Sequence, residues 1–526
     1  MNALAFHLIA AWLAFAWHGT PEVRASNILA FLPTETHSHF NGFKPLLREL
    51  VKRGHNLTLV SPFSLGNDLL YTHIEVEKHY LEKKINHMDR SRLLNKLPVV
   101  VYVLWLGPKI TKIALDRNAV KNFIRNDGSS FDLVLFENFF TESCVTIGHK
   151  YGAPVVQLLP FNTNPRVSQW HGNPYNPAYI PEFTSNFPTG MSFVQRLGNT
   201  ALAFFSTCMY RLVSIPQHRA IMDSYFDYPG HEGRPDLTDM LRNVSLTVYM
   251  SNPVLGTVSP TVPNFIPMAG THTTPAKQLP QDLKEIVDGA KNGVVFFSMG
   301  SVIQASKMPN ETVSLLLSEL GKIKQTVLWK WEDDSIPDLP KNVIVRKWFP
   351  QNDVLGHPNC RLFITHGGIH SMIETIYHGV PVLCLSVFGD QAQNCIQAKS
   401  KGFAEYIPFF ELTSKAFGDN LRSLLDDSRY KVNAQKSSAI LKDNPISLMD
   451  NVVFWIEYVI RHKGAHHLKT AANDIYWFQF LLLDVVAFVS LLSTVFVYIS
   501  FKCFRCTFRK CLKRKNNKIS SEKKVQ

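Results

Sequence analysis

Residues 363–391 combine a His-Gly-Gly turn, a glutamate and an Asp-Gln pair within one strand-helix-strand stretch. Residues 361–365 form a short apolar run typical of a buried strand, and Gly367 and Gly368, directly after His366, allow a sharp turn. Such a turn leaves backbone N–H groups at the start of the next helix facing outward, where a diphosphate binds well. The stretch therefore predicts an open α/β sheet with an anion site at the carboxyl end of a strand.

Further polar side chains follow in the same stretch. Ser371 adds a hydroxyl, and Glu374 lies about one turn further along the predicted helix, where a carboxylate accepts from two ribose hydroxyls. A second apolar run, residues 380–387, is followed by Asp390 and Gln391 at the strand end where open α/β sheets bind ligands. Sugar hydroxyls are natural partners for this pair. A lone His-Gly-Gly turn could equally be a capped helix start, but here several elements agree.

Upstream, residues 346–353 read RKWFPQND, a strand that ends in Trp348 shortly before a proline. An indole there can stack on a uracil ring, and the alternative is a tryptophan packed in the core. Together, WFPQND, HPN, THGG, Glu374 and GDQ resemble, in order and spacing, the signature of the UDP-glycosyltransferases. The resemblance covers nearly the whole chain. It implies the α/β GT-B fold, with two facing Rossmann-like domains and a single C-terminal transmembrane helix.

The resemblance also implies a binding site for a UDP-sugar donor. Trp348 would stack on uracil, while Gln351 and Glu374 would hold the ribose. The other implied positions contact the phosphates, at Ser298, Gly300, Ser301, His366, Gly367, Gly368 and Ser371, or the sugar, at Asp390 and Gln391. The chain departs from the family pattern at Ser386, which is commonly proline, and at His370, which is often asparagine or leucine.

Sugar transfer to a hydroxyl needs a base for the acceptor's proton, and histidine suits that task near neutral pH. The segment THSHFNGF holds His37 and His39 in the predicted loop after the first strand, and His39 matches the family's catalytic histidine by its Ser-His-aromatic pattern. A carboxylate usually orients such a base through its other ring nitrogen. The family commonly places an aspartate just after the strand that reads FDLVLF here. This chain offers Glu137 as the first candidate and Glu142 as the second.

No metal ion is expected, because no D-x-D carboxylate pair is apparent, and the lack of a G-x-G-x-x-G motif counts against nicotinamide or flavin. By analogy with the family, displacement would invert the anomeric centre and give a β-glycoside. Loop features such as the GDQ ending look closest to the arthropod branch, which favours UDP-glucose over UDP-glucuronic acid, with a small lipophilic acceptor. The alternative is a catalytically silent relative that binds a ligand or partner, since the family's aspartate is absent.

The chain of 526 residues, 45% hydrophobic and 18% charged, is long enough for two globular domains with separate cores. Strand and helix patterns alternate in both halves, whereas residues 252–270 are rich in proline and lack periodicity. The predicted organisation is a signal peptide (1–25), an N-terminal acceptor-binding domain (26–255), a linker (256–272), a C-terminal UDP-sugar-binding domain (273–470), a transmembrane helix (475–501) and a basic cytosolic tail (502–526).

Charge predicts the topology. The tail supplies +9 of the formal net charge of +13, so the body is nearly neutral and the basic composition does not require nucleic-acid binding. Positive residues mark the cytosolic side of a span, which puts the catalytic body in the lumen. The ending Lys523, Lys524, Val525, Gln526 resembles a di-lysine retrieval signal, and so predicts a single-pass type I protein of the endoplasmic reticulum membrane.

The lumenal prediction bears on glycosylation and on disulfides. Three Asn-x-Ser/Thr sequons, usable only in the lumen, begin at Asn56, Asn243 and Asn310. Five of the eight cysteines would be lumenal: Cys144, Cys208, Cys360, Cys384 and Cys395. This odd number permits one disulfide and demands none. The sequence leaves open the acceptor's identity and any homo- or hetero-oligomer.

Overall fold

Two parallel β-sheets form the framework of the part of the chain that precedes residue 470. The computed structural model describes residues 25–78, 99–183, 185–301 and 303–522. The predicted signal peptide, apart from its last residue, and the terminal Lys523 and Lys524 lie outside these residues.

The first sheet has seven strands in the order β3-β2-β1-β4-β5-β6-β7, paired in parallel. Its strands are β1 Asn27–Phe31, β2 Asn56–Ser61, β3 Thr72–Glu75, β4 Leu133–Glu137, β5 Val155–Leu159, β6 Leu246–Tyr249 and β7 Phe265–Pro267. Alternate residues of β1 enter two different cores, Ile28 and Ala30 one and Leu29 and Phe31 the other. The sheet is therefore covered on both faces, as parallel sheets require.

The helices of this first lobe are α1 His37–Lys52, α2 Val99–Leu115, α3 Asn118–Asn126, α4 Thr146–Tyr151, α5 Pro165–Ser168, α6 Phe193–Met209, α7 Ile215–Tyr225 and α8 Leu237–Arg242. Helix α1 begins at His37, so most of the segment THSHFNGF, predicted as the loop after the first strand, is helical. Its first turn carries polar side chains, His37, Ser38 and His39, so apolar periodicity does not reveal it.

The second sheet has six parallel strands in the order β10-β9-β8-β11-β12-β13. They are β8 Val294–Ser298, β9 Thr326–Lys330, β10 Val343–Arg346, β11 Cys360–Thr365, β12 Val382–Ser386 and β13 Ala404–Pro408. The helices that follow the first lobe along the chain are α9 Gln281–Gly289, α10 Asn310–Leu320, α11 Gln351–Leu355, α12 Ile369–His378, α13 Gln391–Ser400, α14 Ser414–Asp426, α15 Ser428–Lys442 and α16 Leu448–Arg461.

Each sheet has a topological switch point, where the strand order reverses. It lies between β1 and β4 in the first sheet and between β8 and β11 in the second. Connections from neighbouring strands leave such a point in opposite directions, which opens a crevice at the carboxyl ends of the strands. Most of the predicted site residues lie at the carboxyl ends of these four strands or in the segments that directly follow them.

Two boundaries differ from the sequence prediction. The stretch predicted as linker, 256–272, contains β7, whose Phe265 pairs with Thr247 of β6 at the edge of the first sheet. Helix α16, predicted within the second domain, buries Val453 and Ile456 in a core that includes Ile28 and Leu46 of the first lobe. Only three residues long, β7 gives no periodic signal, and the apolar face of α16 does not reveal which lobe it covers.

The C-terminal unit, residues 470–526, was predicted to hold one transmembrane helix over 475–501. The structure has a short helix, α17 Trp477–Phe480, and then α18 Leu483–Glu522, with Leu482 between them at a positive φ of 54°. Among the described residues, one helix is long and apolar enough to cross a membrane, over Leu483–Arg514. Basic residues occupy the end of α18 that the sequence predicted to be cytosolic.

Candidate active site

A cavity of about 680 Å³ opens between the carboxyl ends of the two sheets. From the first lobe it is lined by residues that follow β1 and β4, among them His39, Phe139 and Phe140. From the second lobe it is lined by most of the predicted donor residues: Ser298, Gly300, Ser301, Trp348, Gln351, His366, Gly368, Ser371, Glu374, Asp390 and Gln391. The structure thus brings together side chains that are spread over more than 350 residues of sequence.

His39 and Glu137 meet at the switch point of the first sheet. His39 lies in the first turn of α1 and Glu137 is the last residue of β4, which pairs directly with β1. The His39 Nδ1 atom is 2.6 Å from Glu137 Oε1, and the Thr34 hydroxyl donates to the other carboxylate oxygen. Glu137 is almost fully buried. A carboxylate in this position fixes the imidazole tautomer and leaves Nε2 facing away from it.

Glu142, the second candidate partner of His39, has a different partner. Its carboxylate lies 3.0 Å from His218 Nε2, and both side chains are buried. Burial opposes ionisation of Glu142, but attraction from His218 and Arg166 outweighs it and lowers the carboxyl pKa. Glu142 as a second candidate to orient the base is therefore wrong, because the 3₁₀ turn Glu142–Val145 directs its side chain into the helical layer, where it pairs with His218.

His366 is held in a slot formed by two glycines. A Cβ on Gly300 would be 2.5 Å from His366 Cε1, and a Cβ on Gly368 would be 2.5 Å from His366 Nε2. Gly300 also has a φ of 79°, which L side chains rarely adopt. Burial, and secondarily Lys330, lowers the His366 pKa to about 4. At neutral pH the ring is therefore uncharged and can donate one hydrogen bond.

Gly367 underlies the same turn without lining the cavity. It has a φ of 85°, and a Cβ there would come within 2.3 Å of Cys395 Sγ. Cys395, on α13, forms a disulfide with Cys384 of β12, and both are fully buried. The sequence permitted one disulfide without naming a pair, and the structure assigns it to this position below the His-Gly-Gly turn.

Gln351, Ser371 and Glu374 form one hydrogen-bonded group at the cavity wall. The Gln351 amide nitrogen donates to Glu374 Oε2 at 2.5 Å and to Ser371 Oγ at 3.0 Å. Burial raises the Glu374 pKa to about 7, although the hydrogen bond from Gln351 works against this rise. The carboxyl of Glu374 therefore changes its charge within the physiological pH range.

Trp348 is 69% exposed and lines the cavity beyond the end of β10. By contrast Trp329, on the neighbouring strand β9, is fully buried against Phe297 at a ring separation of 4.6 Å. Trp348 is thus not the packed core residue that the sequence left as the alternative. Its indole face is accessible to a planar ligand.

Asp390 ends the turn after β12, and Gln391 is the first residue of α13. Asn394 Nδ2 donates to Asp390 Oδ2 at 2.8 Å and to the Gly367 carbonyl at 3.0 Å, which ties this turn to the His-Gly-Gly turn. Gln391 Oε1 accepts from the backbone N–H of Val387 at 2.8 Å. That bond leaves the Gln391 amide nitrogen to reach a ligand. Burial raises the pKa of Asp390.

Sequence reasoning missed three parts of the cavity lining. Lys330, the last residue of β9, lies beside the glycine turn and donates to the Gly300 carbonyl at 2.8 Å. Its place at a strand end was a signal that could have identified it. His272, from the segment after β7, also lines the cavity, and so does a group of phenylalanines from the first lobe.

These phenylalanines form an aromatic wall, defined as Phe139, Phe140, Phe161 and Phe183. Phe161 and Phe183 stack at 5.7 Å, and Phe139 meets the His39 ring edge-on at 4.4 Å. Phe140 holds a positive φ of 57°, and the guanidinium of buried Arg166 lies 3.8 Å from its ring centroid. The local sequence gives no sign of this aromatic wall, because Phe161 and Phe183 lie in loops apart from the pair Phe139 and Phe140.

A family model for UDP-glucoronosyl and UDP-glucosyl transferases matches residues 27–518. The chain belongs to the UDP-glycosyltransferase family. It is therefore an enzyme that transfers a sugar from a UDP-sugar donor to an acceptor, and the resemblance identified from WFPQND, THGG and GDQ is confirmed.

UDP-glycosyltransferase relatives come from insects and mammals. UDP-glycosyltransferase UGT5 of Dactylopius coccus is 34% identical over 470 residues, 88% of each chain. UDP-glucuronosyltransferase 2B19 of Macaca fascicularis is 32% identical over 508 residues, 92% of this chain and 94% of that one. The family match thus extends from the first strand into the C-terminal helix.

Solved glycosyltransferases share the fold. A UDP-glucosyltransferase from Polygonum tinctorium capable of glucosylating indoxyl superposes with a TM-score of 0.56 at 14% identity, over 84% of this chain and 99% of that one. The glycosyltransferase VinC superposes with a TM-score of 0.56 at 16% identity, over 83% of this chain and all of that one. The predicted GT-B arrangement of two Rossmann-like sheets is confirmed.

Proposed function

We propose that this UDP-glycosyltransferase transfers a neutral hexose, with glucose favoured, to a hydroxyl of a small lipophilic acceptor. The observation that carries the proposal is the His39–Glu137 pair, 2.6 Å apart, at a cavity whose opposite wall holds the donor-site residues. Transfer of a sugar directly to an acceptor hydroxyl needs a base and a donor site in the same cavity.

In the proposed step, His39 Nε2 takes the proton of the acceptor hydroxyl as the hydroxyl oxygen attacks the anomeric carbon. Glu137 holds the Nδ1–H group and stabilises the imidazolium as it forms. The bond from the anomeric carbon to the β-phosphate oxygen breaks, and UDP leaves with the electron pair. Attack opposite the leaving group inverts an α-linked donor to a β-glycoside. This route uses neither a metal ion nor a redox cofactor.

The leaving diphosphate would be met by fixed donors of the second lobe. The backbone N–H groups at the start of α12 carry the positive end of the helix dipole, and Ser371 lies in its first turn. His366, neutral at working pH, adds one ring N–H. Donors that are already in place need no reorganisation when negative charge develops on the diphosphate.

The charges around the cavity favour a neutral sugar over a hexuronate. Lys330 is the one lysine or arginine among the described residues that line it. Its ammonium already interacts with the Gly300 carbonyl at 2.8 Å and with Glu332 at 3.2 Å. Asp390, a carboxyl, lines the expected sugar position. The carboxylate of a glucuronosyl group would thus enter without a dedicated cation.

The aromatic wall supports a lipophilic acceptor. Phe139, Phe140, Phe161 and Phe183 present an apolar surface beside His39, and flat rings gain from stacking on such a surface. The alternative, a catalytically silent relative, was based on the missing aspartate. That basis is removed, because Glu137 contacts His39 where the family commonly has an aspartate.

We further propose that the body faces the lumen of the endoplasmic reticulum. The side chains of Asn56, Asn243 and Asn310 are exposed, as glycan attachment requires. The basic end of α18 fits the cytosolic side of the membrane. Glycan mapping of microsomal protein, before and after endoglycosidase treatment, tests this topology. Unmodified sequons in protein from intact cells would contradict it.

The donor and acceptor assignments are tested together by mass spectrometry. Purified full-length protein in detergent is incubated with UDP-glucose or UDP-glucuronic acid and a panel of phenols and aliphatic alcohols. The proposal expects glucosylated phenols as the main products, with a β-linkage shown by the anomeric proton coupling in NMR. Glucuronides as the main products would overturn the donor assignment, and α-linked products would overturn the proposed step.

A further inference from the structure

Gly42 lies inside α1, three residues after His39, although glycine weakens a helix interior relative to alanine. The reason is a close contact with the second lobe. A Cβ on Gly42 would be 2.2 Å from Cε1 and 2.8 Å from Nε2 of His370. The imidazole of His370 therefore lies directly against the backbone of the helix that carries His39.

His370 is also held from its other side. Its ring meets that of His272 edge-on, with centroids 5.1 Å apart and an interplanar angle of 90°. His272 Nε2 donates to the His370 backbone carbonyl at 3.3 Å. Since His272 follows β7 of the first sheet, two segments of the first lobe enclose one side chain of the second lobe. The ring has little room to move away from Gly42.

The buried environment keeps His370 uncharged. Neither ring nitrogen has a hydrogen-bond partner among the described residues, and both are shielded from solvent. Burial, with smaller contributions from His272 and His39, lowers the His370 pKa well below its usual value. A neutral ring can serve as a packing wedge without repelling a His39 that gains a proton during transfer.

We propose that His370 is a positioning residue, which sets the distance between His39 and the donor site by packing on Gly42. This inference rests on the proposed role of His39 as the base. His370 lies in the first turn of α12, four residues after His366, so its contact with α1 fixes the base-bearing turn relative to the phosphate-binding turn. An ångström of displacement between reacting groups is enough to slow an enzyme strongly.

A double-mutant cycle on Gly42→Ala and His370→Ala tests the contact. We expect Gly42→Ala alone to lower kcat at least tenfold, with the donor KM and UDP affinity unchanged. In the His370→Ala background the added methyl has room, so there Gly42→Ala should change kcat less than twofold. His370→Ala alone should lower kcat several-fold. Gly289→Ala, at a helical glycine with open space around it, is the matched control and should leave kcat and donor KM unchanged.

The cycle separates this inference from the function on which it rests. Equal effects of Gly42→Ala with and without His370 would show that the residues act independently and would overturn the proposal. Wild-type kcat for Gly42→Ala would overturn it as well. If Gly42→Ala does not fold but the double variant folds and turns over, the clash is demonstrated. Lack of transferase activity in the wild type would overturn the proposed function and this inference with it.

Discussion

At the residue scale, Glu137 contacts the proposed base, His39, where the family commonly has an aspartate. Both of its carboxylate oxygens are engaged, one by His39 and the other by the Thr34 hydroxyl. Glu142 is only five residues away, yet it pairs with His218. Spacing could not separate the two glutamates, because the chain turns between them at Phe140, which has a positive φ and packs against Gly107 of α2 and against Arg166.

Glu374 should give the proposed donor site a pH dependence. Its pKa of about 7 in the free enzyme means that it is protonated below pH 7 and ionised above. Only the ionised form accepts hydrogen bonds at both oxygens, so donor affinity should rise with pH. We expect the donor KM to fall roughly threefold to tenfold between pH 6 and pH 8, since one pKa unit corresponds to a factor of ten. Steady-state kinetics across this range measure the effect.

Glu374→Gln is the control for this titration, because glutamine keeps the shape of the side chain and lacks the ionisable group. Its donor KM should stay flat between pH 6 and pH 8. A variant that retained the wild-type slope would assign the pH dependence to another group.

At the element scale, the turn between β12 and α13 is closed covalently. The Cys384–Cys395 disulfide joins cysteines 11 positions apart in sequence, with Asp390 and Gln391 between them, and the Cys395 sulfur packs against Gly367. The bridge therefore closes the proposed sugar-binding turn, and one of its sulfurs packs against the proposed phosphate-binding turn. Neither cysteine stands in a motif, so the sequence indicated only that a pair was possible.

Removing both cysteines should affect stability and donor binding together. Cys384→Ala with Cys395→Ala is expected to lower the free energy of unfolding by roughly 3 kcal/mol, the loop-closure entropy for a span of this length. The donor KM should rise, whereas the acceptor KM should not change. Urea denaturation and initial-rate kinetics provide the two readouts. Cys360→Ala removes a buried free thiol of β11 and serves as the control. A double variant with the wild-type donor KM would show that the disulfide does not position the donor site.

At the scale of the whole molecule, the chain returns to the first lobe after it has formed the second lobe, so the two lobes are joined at more than one point. Helix α16 follows the second lobe in sequence but buries Val452, Val453, Ile456 and Val459 in a core shared with β1, α1 and β12. This core extends across both lobes. We infer that the return of α16 stabilises the relative position of the two sheets, and hence of the cavity between them.

Truncation of Ile456, which is fully buried, tests that inference. Ile456→Ala should lower the free energy of unfolding by about 2–4 kcal/mol, the usual cost of a buried cavity of this size. Phe454→Ala, at a half-exposed position on the same helix, should cost much less. Urea denaturation of both variants measures the change in the free energy of unfolding. Equal losses of unfolding free energy in the two variants would refute a specific role for the buried face of α16.

Much of the fold was accessible from sequence, for reasons that the structure makes plain. Strands β4, β10, β11 and β12 lie where the sequence predicted strands, in FDLVLF, up to Trp348, over 361–365 and over 380–387, because their sequences are mostly apolar. Strands β3, β6 and β7 were missed because they have only three or four residues, and β13 was missed because its sequence, AEYIP, mixes polar and apolar residues. The residues predicted to bind the donor do line one wall of the cavity, since they follow strands in a compact pattern. The aromatic wall and the Gly42–His370 contact were not, because they arise only when distant loops meet.

The central claim is that a base from the first lobe acts on a donor held by the second. The most direct measurement compares kcat of His39→Ala and Glu137→Gln with wild type, with UDP affinity from calorimetry as the measure of an intact donor site. The account predicts a loss in kcat of about 10²–10⁴-fold for His39→Ala and a smaller loss for Glu137→Gln, with UDP affinity unchanged within twofold. Wild-type turnover by His39→Ala would contradict it.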